Sequence, residues 1–166
     1  MLSDRISLKP VGVIRTEYSD REVSESWPRG VKGVIEVFEE FADGVAGLEG
    51  FSHLIVLAWL HKVSEMERRV LRVKYRRFTR LGLRLEDLPE VGVFASDSPH
   101  RPNPIALSIV KITGLSGRRI YVDGLDLYDG TPVIDLRPYT PFYYIEDAEI
   151  PEWFKEIISR EGLRSR

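Results

Sequence analysis

At 166 residues with 43% hydrophobic and 30% charged positions, the chain is long enough for one well-buried core and short for two. Its net charge of −2 gives no whole-surface attraction to nucleic acid, and the absence of cysteine excludes disulfides, thiolate nucleophiles and thiolate metal sites. No apolar run approaches the ~18 to 20 residues that cross a bilayer, and no signal-peptide pattern opens the chain, so a soluble cytoplasmic protein with no membrane partner is expected.

Short β-branched and aromatic runs punctuated by Gly, Pro or Asp predict strands over residues 11–16, 33–37, 53–60, 70–75, 91–95, 105–112, 120–127 and 133–136. Eight short strands in one small domain point to a barrel or a sandwich. A short helix is predicted over 39–48, ending before Gly50. A second begins at Pro151, with acidic Glu152 in its first turn. Trp153, Phe154, Ile157 and Ile158 recur there at helical spacing through Arg160, and Gly162 marks the stop. The closing Arg164-Ser165-Arg166 is expected to fray. Residues 1–145 then form the strand-rich domain, and 146–166 a helix and tail packed on it.

The side-chain amides are nearly missing. There is no Gln, Asn103 is the single Asn, and Arg, Lys and Glu are abundant, the profile of a thermophile protein. His53, His61 and His100 are too far apart in sequence for a compact ligand pattern, so no metal is expected. Between Arg68 and Arg84 lie eight basic residues and no acidic one, interleaved with Tyr75 and Phe78. That is a local cationic surface on an otherwise balanced chain.

The densest chemistry lies in Ser96-Asp97-Ser98-Pro99-His100-Arg101-Pro102-Asn103-Pro104-Ile105, directly after a predicted strand. Proline fixes its own φ and restricts the residue before it, so this loop can hold polar side chains in one geometry at little entropic cost. It reads either as a preorganised site or as a stiffened surface connection.

Ser98-Pro99-His100-Arg101-Pro102-Asn103-Pro104-Ile105-Ala106-Leu107-Ser108 resembles the signature of the TrmO family, whose members carry R-S-x-x-R-P-N-P-I-G-x-S. A second block resembles the family over residues 124–139, beginning Gly124-Leu125-Asp126-Leu127-Tyr128-Asp129-Gly130. Two more are Val11-Gly12-Val13-Ile14-Arg15 and Gly47-Leu48-Glu49-Gly50-Phe51-Ser52-His53-Leu54. Two positions depart from the pattern: Asp97 stands where the family has Arg, and Ala106 where it has Gly. The first exchange removes a donor fork and reverses a charge. Lys62 or a residue of the basic stretch is then expected to supply the missing cation.

The resemblance implies a mainly β fold, a single small β-barrel domain with short helices and a C-terminal helix, usually dimeric with the cofactor near the subunit interface. The absence of a G-x-G-x-x-G turn agrees with a non-Rossmann site. The implied cofactor is S-adenosyl-L-methionine, held by Pro10, Val11, Gly12, His61, Lys62, Asp97, Leu107, Leu125, Asp126, Leu127 and Tyr128. The implied substrate is N6-threonylcarbamoyladenosine at position 37 of the tRNA anticodon loop, and the implied partner a second copy of the chain. Arg101 and Asn103 suit substrate positioning. Asp126, Asp129, Tyr139 and His100 are the possible bases, and the residues alone do not choose among them. Asp129-Gly130 also reads as an ordinary turn, and His53 as structural. Tyr75, Phe78 and the surrounding cations suit a single-stranded RNA surface, or else form a solvated face. Two rival readings stand beside the enzyme: a non-catalytic RNA-binding module, favoured by Asp97, and a methyltransferase with another RNA or small-molecule substrate.

Overall fold

The computed structural model describes residues 6–160, so Gly162 and the Arg164-Ser165-Arg166 tail lie outside the described residues. Six strands close an antiparallel barrel: β1 (Gly12–Arg15), β2 (Val31–Val37), β3 (His53–Trp59), β6 (Ile105–Ser116), β7 (Arg119–Leu125) and β8 (Pro132–Pro138). They run in the order β1-β2-β7-β6-β3-β8, and β8 returns to β1. The remaining two, β4 (Arg72–Lys74) and β5 (Glu90–Gly92), form a separate ribbon within the connection from β3 to β6. All eight predicted strands therefore exist, but only six belong to the barrel.

Period-two alternation fills the interior. Ile14, Ile35, Leu54, Val56, Val110, Ile120, Leu125 and Val133 are all fully buried, while Leu107, Ile109 and Tyr121 on the same strands face outward. Closure needs bends, and the strand pairing shifts register at Val31/Gly33 in β2 and at Ile112/Gly114 between β6 and β7. Gly30, just before β2, has φ of 75°. A Cβ there would sit 2.4 Å from the backbone carbon of Gly124, so both its conformation and its neighbour require glycine.

The two ends of the barrel differ. At one end the predicted helix 39–48 is a 3-10 segment, Glu39–Val45, which packs Phe41 and Val45 against the core, with Leu48 just after it. The other end carries a helix that the strand pattern did not suggest, α1 (Asp20–Glu25). Its Ser19 and Glu22 side chains form a reciprocal capping box, the Ser-x-x-Glu signal legible in Ser19-Asp20-Arg21-Glu22. The predicted strand 91–95 also divides: β5 stops at Gly92 and Val93–Ala95 tightens into a 3-10 turn that buries Val93.

Helix α2 (Glu152–Arg160) forms as the spacing predicts. Its apolar face meets the β4–β5 connection rather than the barrel wall. Ile157, Trp153 and Phe154 join Phe78, Leu88, Tyr75 and Trp27 in a second, smaller core. Five rings make the contacts, Trp27, Tyr75, Phe78, Trp153 and Phe154: Tyr75 stacks on Phe78 at 5.4 Å, and Phe154 meets both of these rings edge-on. Phe78 is only 5% exposed, which corrects its reading as an RNA-stacking ring.

Candidate functional site

In the antiparallel barrel, the end of β3, the start of β6 and the end of β7 share one rim. A cavity of about 270 Å³ opens there, close to the ~300 Å³ lower bound of ordinary ligand pockets. Leu60, His61, Lys62 and Val63 enter from the end of β3, and Ile105, Ala106, Leu107 and Ser108 from β6. Asp126, Leu127, Tyr128 and Thr131 come from the β7–β8 connection, and the loop contributes Asp97 through Arg101. Glu67 and Arg77 reach in from the β3–β6 connection.

Hydrogen bonds hold the proline loop in place. Leu60 N donates to Pro104 O at 2.8 Å, tying the loop's exit to the end of β3. Its entry is a chain of serine turns: Ser96 Oγ donates to Val93 O, Ser98 N to Ser96 Oγ, and His100 N to Ser98 Oγ. Arg101 folds back to donate to Val93 O at 3.2 Å. It therefore braces the loop while bordering the cavity. Asn103 is exposed at the loop's outer side and does not line the cavity.

Several polar groups on the cavity wall are paired. Ser108, 6% exposed, donates from Oγ to Asp126 Oδ1 at 2.5 Å, and Arg77 Nη1 stands 3.8 Å from the other Asp126 oxygen. Lys62 pairs with Asp20 of α1 and lies 5.2 Å from the centre of the Tyr128 ring. His100 Nε2 is 3.2 Å from Glu67 Oε1, and Glu67 Oε2 accepts from Ser64 N and Oγ, both at 2.8 Å. These Ser64 bonds, and secondarily His100, hold the Glu67 carboxyl below the usual carboxylate range. Burial, with a smaller push from the Asp97 carboxylate, raises the Tyr75 phenol. Sequence reasoning missed Glu67 and Asp20, for which the Ser-x-x-Glu capping patterns were the only signals. It left Arg77 anonymous within the basic stretch.

The cavity thus gathers His61, Lys62, Asp97, Leu107, Asp126, Leu127, Tyr128 and Arg101. Other residues singled out from the sequence stand elsewhere. Pro10, Val11 and Gly12, at the entry to β1, do not line the cavity; Val11 N donates to Val133 O near the start of β8, and Phe38 N donates to Val11 O. A Cβ on Gly12 would meet Glu36 O at 2.7 Å, so that glycine serves the β1–β2 contact. Leu125 is wholly buried in the barrel core. Asp129 Oδ1 accepts from Thr16 N at 3.0 Å, as a turn residue beside β1. Tyr139 leaves β8 at the far rim, its N bonded to His53 O and its ring stacked on Tyr143. A seven-residue strand, roughly 20 Å long, separates it from the cavity.

Part of the basic stretch is paired with carboxylates and part donates to neutral oxygens. Arg68 pairs with Glu65, Arg72 with Glu90 and Arg84 with Asp87, while Lys74 donates to Leu85 O and Arg80 to Ser24. Among the described residues only Arg69 and Arg76 of that stretch, both exposed, have no such partner. A second depression of about 550 Å³ lies at the far rim, bordered by Glu39, Asp43, Glu49 and Arg118. It is the larger but also the more open of the two, and no residue of the proline loop reaches it. No cluster of three His, Asp or Glu side chains suited to a metal occurs among the described residues, and no helix there is long and apolar enough to cross a membrane.

Residues 13–144 match the family described as the tRNA-methyltransferase O N-terminal domain. The chain belongs to this TrmO family. An Archaeoglobus fulgidus relative named a probable S-adenosyl-L-methionine-binding protein is 39% identical over 95% of this chain and 40% of its own length. The tRNA (adenine(37)-N6)-methyltransferase of Escherichia coli is 36% identical over 80% of this chain and 57% of that protein. The crystal structure of TrmO from Pseudomonas aeruginosa superposes with a TM-score of 0.64 at 29% identity, over 87% of this chain and 61% of that one. The chain thus spans roughly half the length of these relatives. Both the TrmO resemblance and the mainly β barrel fold expected from it hold.

Proposed function

We propose that this chain is an S-adenosyl-L-methionine-dependent methyltransferase acting on tRNA, at N6 of the threonylcarbamoyladenosine beside the anticodon. The observation that carries the reading is the convergence of two separate family blocks on one cavity: Asp97 to Leu107 from the signature, and Asp126 to Tyr128 from the second block. The lining suits the cofactor. Leu60, Leu127 and the Tyr128 ring offer apolar walls for a nucleoside and thioether, and Asp126 with Arg77 offers one charge of each sign. His61, Lys62, Asp97, Leu107, Asp126, Leu127 and Tyr128 are the residues we assign to holding it.

When bound, the cofactor supplies an electrophilic methyl carbon for in-line displacement, and the protein's task is alignment and exclusion of water. Arg101, fixed by Val93 O, borders the entrance where a phosphate or carbamoyl group would lie. The carbamoyl substituent makes the N6 proton more acidic than in adenosine, so a weak base is enough. His100 fits that role: its ring lines the cavity, with Nε2 3.2 Å from the Glu67 carboxylate that orients it. Phe94, 82% exposed at the start of the signature loop, replaces Tyr75 and Phe78 as the ring on which a splayed anticodon base would stack.

We further propose a cytoplasmic homodimer. Ile105, Leu107 and Ile109 form an exposed apolar row on β6, beside Trp59, Leu57 and Ile55 of β3. Leu107 also lines the cavity, so a second copy seated on this row would wall the site. Ile109→Lys is expected to give a monomer in sedimentation analysis; an unchanged mass would remove this face as the interface.

The function is tested by incubating the protein with methyl-labelled S-adenosyl-L-methionine and tRNA bearing or lacking the threonylcarbamoyl group. Label is expected only in the modified tRNA, at position 37. Equal labelling of both would reject the substrate, and none in either would reject the activity.

A further inference from the structure

The signature carries an anion, Asp97, where the family pattern has an arginine, yet the cavity does not lack a cation. Arg77, on the 3-10 turn Arg76–Leu81, reaches in from the β3–β6 connection. Its Nη1 stops 3.8 Å from Asp126 Oδ2, beyond hydrogen-bond range, so neither group has committed its directional bonds to the other. Among the described residues Arg77 makes no hydrogen bond. Asp126 is oriented from behind, because buried Ser108 holds Oδ1 and thereby turns Oδ2 toward Arg77.

The other side chains at the cavity that carry a positive charge or face a carboxylate are engaged, while His61 is exposed at the end of β3. Lys62 pairs with Asp20 and covers the Tyr128 ring, Arg101 donates to Val93 O, and His100 faces Glu67. Arg77 is the cation there whose donors are all uncommitted among the described residues. A guanidinium presents a planar fork that matches a carboxylate, and a neighbouring carboxylate accepts from an ammonium. One positive and one negative group side by side are complementary to a head group that carries both charges on a single carbon.

We propose that Arg77 and Asp126 clamp a zwitterionic α-amino-acid head group, Arg77 taking the carboxylate and Asp126 the ammonium, so that a residue outside the signature supplies the cation missing at position 97. The clamp rests on the reading of this cavity as the S-adenosyl-L-methionine site and names which end of the cofactor lies where. It also makes Arg77 a specificity-determining residue, selecting nucleosides that bear an amino-acid tail over those that do not.

Three thioether nucleosides test it by calorimetric titration. S-adenosylhomocysteine carries both head-group charges, its decarboxylated form carries the ammonium alone, and 5′-methylthioadenosine carries neither. The wild type is expected to bind them in that order of affinity. Arg77→Ala should weaken S-adenosylhomocysteine by roughly tenfold, the effect of one charge-assisted hydrogen bond at a half-exposed site. Binding of the other two should be unchanged. Arg77→Lys should restore part of the loss, and Asp126→Asn should weaken both ammonium-bearing ligands while sparing 5′-methylthioadenosine. An equal loss for all three ligands in Arg77→Ala, with the melting temperature lowered, would mean that Arg77 only supports the fold and would overturn the clamp. So would a preference for S-adenosylhomocysteine that survives Arg77→Ala, which leaves the cofactor reading intact. A wild type that binds none of the three would overturn the cofactor reading itself and the clamp with it.

Discussion

Single residues in this protein often serve shape and chemistry together. Arg101 borders the cavity and also holds the Val93 carbonyl, whereas Asn103, two residues on, is exposed and touches neither. Arg101→Ala is expected to cost about 0.5–1.5 kcal/mol of stability, the worth of one hydrogen bond, with a larger fall in methylation. Asn103→Ala should stay within about 0.5 kcal/mol of the wild type. Thermal melts beside methyl-transfer assays separate the two effects; a melting temperature that falls in step with activity would make both residues purely structural. Protonation acts at the same scale. Glu36 is held below its ordinary value chiefly by the Arg118 hydrogen bond, and Glu22 and Glu67 chiefly by their serine bonds. A lowered native value means that the unfolded state takes up protons first. These three contributions are therefore present above the ordinary glutamate value of about 4.3 and are lost as pH falls through the native values. Denaturant midpoints measured from pH 7 to pH 3 should be level at the upper end and decline below about pH 4.3. In Glu36→Gln that decline should be shallower.

At the scale of elements, the barrel depends on close backbone approaches that no side chain can share. Gly30→Ala forces a left-handed backbone and a clash with Gly124, and about 1–3 kcal/mol of destabilisation is expected. A midpoint equal to that of the wild type in urea titration would show that the Gly124 turn yields freely. The connection between β3 and β6 is the other decisive element. Its ribbon and 3-10 turns bury little by themselves, but α2 seals them with Trp153, Phe154 and Ile157. That small aromatic core holds Phe78, and Phe78 follows Arg77 directly. Phe78→Ala should therefore lose about 3–5 kcal/mol through the cavity it leaves and displace Arg77 from the site. The connection's strands were readable from Val70, Val73, Val91 and Val93, but their separation from the barrel was not. Strand periodicity records which residues alternate and says nothing about which strand pairs with which.

For the whole molecule, the proposed tRNA substrate has to be met by a chain of net charge −2. Four of the eight cations between Arg68 and Arg84 are matched by Glu65, Glu90, Asp87 or Asp126, and Lys74 and Arg80 are held by neutral oxygens, so attraction is expected first at the remaining exposed arginines. Arg77 belongs to the cavity, which makes Arg69 and Arg76 the pair to reverse. Arg69→Glu with Arg76→Glu should weaken tRNA binding and flatten its salt dependence by roughly 0.7 per lost phosphate contact. An unchanged slope would move the RNA to another face.

Much was legible in the sequence by itself. Alternating apolar residues determined the strands, because each strand has one buried face and that face repeats every second residue. The spacing from Trp153 to Ile158 determined α2, and the ordered family blocks identified the chain's relatives. Tertiary structure alone decided which of those residues meet. Closure of six strands placed the end of β3, the start of β6 and the end of β7 on one rim, bringing His61, Asp97 and Asp126 together across 65 positions of chain. The same closure carried Tyr139 to the opposite rim, since β8 runs from the cavity to the far end of the barrel. Arg77 joined the site only through the aromatic core beneath it. A contact made by packing between distant segments has no periodicity along the chain, and so leaves no mark in the sequence until the chain is folded.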